Sequence, residues 1–99
     1  MDTLPKRVRI TVTEDDIAKG KRGNMLFCPV ARAIKGRFPE MGVVTQERFT
    51  ELKSTYLILY RHSLSLKRFI VGFDTESLVE PASFILTMTS RSELLDGRG

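Results

Sequence analysis

The chain is expected to adopt an α+β fold, a mainly antiparallel four-stranded sheet with two or three helices in the order β-α-α-β-β-α-β. Three observations predict this. Segments with a period of two are interleaved with segments of helical period. The helical segments carry recognisable start and stop residues. Strands and helices also mix without the strict βαβ repetition that a parallel sheet requires. The helices are expected on one face of the sheet. Residues 1–90 read as one domain and 91–99 as a flexible tail.

Lys6 to Thr13 reads as the first strand, because Val8, Ile10 and Val12 alternate with Arg7, Arg9, Thr11 and Thr13. Thr13 is placed to cap a short helix, Glu14 to Lys19, with acids in its first turn and a lysine near its end. Both suit the helix dipole. Gly20 stops it, and Gly20-Lys21-Arg22-Gly23 forms a loop. A better-punctuated helix follows. Pro29 fits its first position, and Cys28 or Asn24 lies at or just before its start. Val30, Ala31, Ile34 and Phe38 make its apolar stripe, which Phe27 extends backwards, and Gly36 and Pro39 bracket its end.

Pro39-Glu40-Met41-Gly42 has turn chemistry. Val43 to Leu52 reads as one strand, so polar at Thr45 to Arg48 that an edge or a twisted ribbon is expected. After a turn at Lys53-Ser54, Tyr56 to Tyr60 is the most β-prone segment and suggests a central strand with both faces covered. Ser63 or Ser65 can cap a further helix whose buried stripe is Leu66, Phe69, Ile70 and Phe73. Asp74 to Pro81 reads as a loop, and Ser83 to Thr89 as the last strand.

The formal net charge of +4 is unevenly placed. Residues 1–40 hold nine Lys/Arg against five Asp/Glu, whereas residues 41–99 hold seven of each. From Lys19 to Arg37 there are six cations and no acid. Such a patch invites phosphate or an acidic protein surface, the plainer alternative being a solvated helix face. No apolar run approaches the roughly 20 residues of a membrane span. The first residues lack the apolar core of a signal peptide, and one cysteine cannot form an internal disulfide. A cytoplasmic protein is expected.

Ile10-Thr11-Val12-Thr13, the Gly20 and Gly23 turn, Cys28-Pro29-Val30-Ala31 with Ala33-Ile34, Arg68-Phe69-Ile70 with Phe73-Asp74, and Val79-Glu80-Pro81-Ala82-Ser83-Phe84 together resemble a group of small phage and prophage proteins. The resemblance spans about residues 8–86. It implies a viral accessory protein of a class rich in factors that bind and inhibit host machinery, anti-defence factors among them. Where a Cys-x-x-Cys pair would need its first cysteine this chain has Met25, which argues against a metal or redox role.

Site chemistry is sparse. Gly20 to Gly23 lacks the Gly-x-x-x-x-Gly-Lys-Ser/Thr pattern of a P-loop and reads as a solvated connector, the alternative being an anion-binding loop. Cys28 at a helix start could be a reactive thiol, but it reads as a half-buried structural cysteine. His62 reads as a surface histidine, with no nucleophile at a telling spacing. One cysteine and one histidine cannot complete a zinc site. Asp15, Asp16, Asp74 and Glu76 match no cation loop. Neither an enzyme nor a cofactor is expected.

Two functions lead, with a small-molecule or nucleotide pocket at the Gly20–Gly23 loop a weaker third. In the first, the chain binds a host protein or ribonucleoprotein complex through Lys19, Lys21, Arg22, Met25, Phe27, Arg32 and Lys35. Met25, Leu26 and Phe27 either serve as its apolar anchor or plug the core. In the second, Arg7, Arg9, Lys21 and Arg22, joined by Arg32 and Lys35, form a stripe for nucleic acid, with Tyr56 and Tyr60 the aromatics left for stacking. The run Tyr56 to Tyr60 also leaves a homodimer through the uncovered sheet face open.

Overall fold

A computed structural model describes residues 4–93. Strand β1 (Arg7–Val12) leads through helix α1 (Glu14–Lys19) to α2 (Pro29–Arg37). Strands β2 (Gly42–Thr45), β3 (Phe49–Lys53) and β4 (Tyr56–His62) follow, then α3 (Leu64–Asp74) and β5 (Ala82–Glu93). The strands form one antiparallel sheet in the order β1-β5-β4-β3-β2.

The fold is α+β as expected, with five strands in place of four. The stretch expected as one strand, Val43 to Leu52, is the hairpin β2–β3, in which Thr45 faces Thr50. Its polar centre is the turn. Gln46 N–H donates to Phe49 O (2.9 Å), and His62 N–H on β4 donates to Arg48 O (2.9 Å). The last strand also runs further than expected, with Arg91 opposite Ile58 in β4. The rest of the expected tail, 94–99, lies outside the described residues.

The caps follow local chemistry. Thr13 and Asp16 form a reciprocal capping box on α1, Cys28 is the N-cap of α2 with Pro29 at its first turn, and Ser63 caps α3. Val8, Ile10 and Val12 of β1 meet Val30, Ala31 and Ile34 of α2 in a core shared with Leu52, Ile58, Tyr60, Leu66 and Leu86. Helix α2 packs against both β1 and β2, the two edge strands, so the twisted sheet curls around it.

Among the described residues, one face of the sheet carries no helix. Arg7, Arg9 and Thr11 are exposed between the buried residues of β1. On β4, Leu57 and Leu59 are half-buried beside buried Ile58 and Tyr60. This central strand is therefore covered on one face, not both. Tyr60 is buried, and its hydroxyl donates to Pro5 O (2.7 Å), so it is unavailable for stacking on bases. Tyr56 is half-buried with the Arg91 guanidinium 4.2 Å from its ring centroid.

Candidate protein-binding loop

The segment between α1 and α2 holds Met25, Leu26 and Phe27 at the surface, 52, 51 and 53% exposed. They do not plug the core, and Phe27 does not extend the buried stripe of α2. Exposure here does not come from looseness. Asn24 Oδ1 accepts from the N–H groups of Leu26 (2.9 Å) and Phe27 (3.0 Å), folding the chain into an Asx turn. Lys21 N–H donates to Phe27 O (2.9 Å), Cys28 N–H to Asn24 O (2.9 Å), and Thr45 N–H of β2 to Met25 O (2.8 Å). Gly23 adopts φ +63°, and its N–H donates to Asp74 Oδ1 (2.9 Å) at the end of α3. The loop is thus tied to α2, β2 and α3.

Two open clefts flank it. One, of ≈ 350 Å³, includes Asn24, Met25, Gln46, Ile70 and Val71 in its lining. The other, of ≈ 400 Å³, is lined by Leu26, Phe27, Arg32, Lys35 and Val43. An apolar ridge between two grooves is a shape that a partner's side chains can grip from both sides.

The cations of the basic run are mostly engaged within the fold. Lys19 pairs with Asp15 (3.2 Å), and Arg32 lies 3.5 Å from Asp15 and 3.6 Å from Asp16. The second contact, from Nε to Oδ1, is too long for a hydrogen bond and leaves Nε without one. Arg22 Nε donates to Phe73 O (3.0 Å), closing the end of α3, and its guanidinium lies 5.2 Å from the Phe73 ring centroid. The Lys35 ammonium donates to Met41 O. Lys21 Nζ lies 5.7 Å from the Phe27 ring centroid and, among the described residues, pairs with no acid. The acid-free run in sequence therefore meets the acids of α1 in space, which lowers its field. Nor does the fold bring Arg7, Arg9, Lys21 and Arg22 onto one face as the expected nucleic-acid stripe. Arg7 and Arg9 project from the helix-free face, whereas Arg22 is fastened to α3 on the other side of the sheet.

Cys28 and His62 both lie inside. Cys28 is 5% exposed, and its Sγ accepts from Ala31 N–H at 3.4 Å. Burial pushes its thiol above the ordinary value, against the lowering effect of the Ala31 and Val30 amides. We expect the native thiol to react with a maleimide on the order of 100-fold more slowly than the denatured chain, measured by stopped labelling at pH 8.

His62 is not the surface residue its neighbours suggest. It is 2% exposed, with Nε2 2.7 Å from Thr50 Oγ1 and Nδ1 2.9 Å from Glu47 O. A carbonyl only accepts, so Nδ1 carries the proton and Nε2 accepts from the Thr50 hydroxyl. Thr50 Oγ1 in turn accepts from Thr45 Oγ1–H at 3.1 Å. The chain of three side chains pins the β2–β3 turn to β4. Its sequence signal was weak, since only the register of strands not yet delimited places Thr50 and Thr45 beside the ring. Asp15, Asp16, Asp74 and Glu76 do not assemble, and among the described residues no three His, Cys, Asp or Glu side chains cluster as metal ligands. No helix among the described residues is long and apolar enough to cross a membrane. Comparison of the chain with protein-family models, curated proteins and solved structures returns no match.

Proposed function

We propose that the chain is a non-catalytic, phage-type accessory protein that binds a host protein or ribonucleoprotein complex and inhibits it by occupying its surface. The observation that carries the binding role is the half-exposure of three consecutive bulky apolar side chains on a loop whose backbone is already fixed by hydrogen bonds. Exposing such residues costs solubility, and holding them in place before binding removes much of the entropy cost of association. Lys21 beside Phe27 supplies a charge at the rim. The resemblance to phage proteins makes host components the first partners to test.

The test is capture from nuclease-treated host lysate, with the wild type beside Phe27→Ala and Met25→Ala. Because these side chains lie outside the core, stability should change by no more than about 0.5 kcal/mol. Affinity for the captured partner, measured by calorimetry, should fall by about 2 kcal/mol or more, roughly 30-fold. A partner held equally by the wild type and both variants would refute this surface as the protein contact.

A further inference from the structure

The helix-free face of the sheet collects cations that the binding loop does not use. Arg7 and Arg9 project from β1 on either side of buried Val8, and Arg61 projects from β4 between buried Tyr60 and His62. The register sets Arg7 against Thr87, Thr87 against Arg61, and Arg61 against Phe49. One row thus crosses four strands, with two arginines about 9.5 Å apart and an aromatic ring at its end. Among the described residues of the strands, Glu51 is the acid on this face, and Lys53 lies 3.7 Å from it.

Where β4 hands over to α3, the same face opens into a notch of ≈ 360 Å³. Arg9, Ser63, Ser65, Ser83, Phe84 and Ile85 line it. Among the described residues its lining offers one guanidinium, three hydroxyls and no carboxylate, and its apolar margin includes half-buried Ile85. Ser83 and Thr11 hydroxyls share a hydrogen bond of 2.8 Å across the β5–β1 pair, which aligns them beside Arg9. Guanidinium and hydroxyl groups are the side chains that hold phosphate oxygens, and arginine also stacks on bases.

We propose that this face binds single-stranded nucleic acid, independently of the protein-binding loop. Phosphates lie along Arg7, Arg61 and the Arg9 notch, and bases rest on Phe49, Ile85 and Leu59. Charge complementarity selects this occupant. A second copy of the chain docked by two-fold symmetry on this row would set arginine against arginine. Stacking surface next to arginine, as at Phe49 and Arg61, suits an unpaired base, whose faces are free, and not a duplex, whose bases are stacked on one another.

The experiment is fluorescence polarisation of a fluorescein-labelled oligouridylate of about 12 nucleotides, titrated with the full chain at several salt concentrations. The expected result is binding that weakens with salt. In the Arg7→Ala/Arg9→Ala/Arg61→Ala variant, affinity should fall at least about tenfold, and the slope of log affinity against log salt should shrink by about two. Circular dichroism of that variant should match the wild type, since all three side chains are exposed. Phe27→Ala should bind the oligonucleotide as the wild type does. No binding at about 50 mM salt, or an unchanged slope in the triple variant, would overturn the proposal. So would equal competition by poly-glutamate, which would give the face to an acidic protein, or by a duplex of the same length.

Discussion

Lowering the pH from 7 to 4.5 should destabilise this fold by about 2.5 kcal/mol through His62 alone. Burial pulls the imidazole from its ordinary value of 6.5 down to about 4, partly opposed by the hydrogen bond to Glu47 O and reinforced by the charge of Lys67. The unfolded chain takes up a proton near pH 6.5 that the folded chain refuses. The contribution is therefore complete above pH 6.5, is lost as pH falls towards 4, and changes no further below that. Across the whole window it amounts to about 3 kcal/mol. Structure gives the reason. A charged ring loses its hydration in a site with 2% exposure, and the group facing Nε2 is the neutral Thr50 hydroxyl, which replaces that hydration poorly. Urea unfolding at pH 7 and 4.5 measures the loss, and subtracting the same pair for His62→Gln removes the part due to carboxylates. The imidazole signals followed by NMR should titrate near pH 4. Titration near 6.5, or an equal pH dependence in His62→Gln, would mean that the ring is solvated and the turn is held by something else.

This network shows why parts of the fold were legible in the sequence and parts were not. Alternation in Arg7 to Val12, the acids after Thr13, the proline at position 29 and the serine before α3 act over a few residues, and all four produced the expected elements. The β2–β3 hairpin was missed because nothing between Thr45 and Phe49 carries a glycine or proline turn signal. The turn is instead held from outside, by His62 of β4. The same dependence on distant partners made Met25 to Phe27 ambiguous. Apolar residues before a helix pack inward unless the backbone is committed elsewhere, and here Asn24, Lys21 and Thr45 commit it. The field of the basic run was not legible for a related cause, since Asp15 and Asp16 precede it in sequence yet lie alongside Arg32 in space.

Three glycine-to-alanine substitutions, two in this loop and one in α2, should separate, with Gly20 giving by far the largest change. Gly20 has φ −71°, open to any residue, so it is space and not conformation that requires glycine. A Cβ there would sit 2.6 Å from Cδ, Cγ and N of Pro29. The proline ring is buried at the first position of α2 and cannot rotate away. Gly20→Ala must therefore push α1 from α2 or shift the loop, at a cost of about 3 kcal/mol and a fall in Tm on the order of 15 °C. Gly23 has open space but φ +63°, so Gly23→Ala should lose about 1 kcal/mol. Gly36 lies exposed within α2 with nothing near, and Gly36→Ala should gain about 0.5–1 kcal/mol. Thermal melts of the three variants test the order. A Gly20→Ala chain as stable as the wild type would show that α1 and α2 are not in close contact at this point. Because Lys21 to Phe27 begin at this glycine, the same variant should lose partner binding by misplacing the apolar ridge. Phe27→Ala should lose it with the fold intact, so the pair distinguishes a loop that must be held in place from one that need only be present.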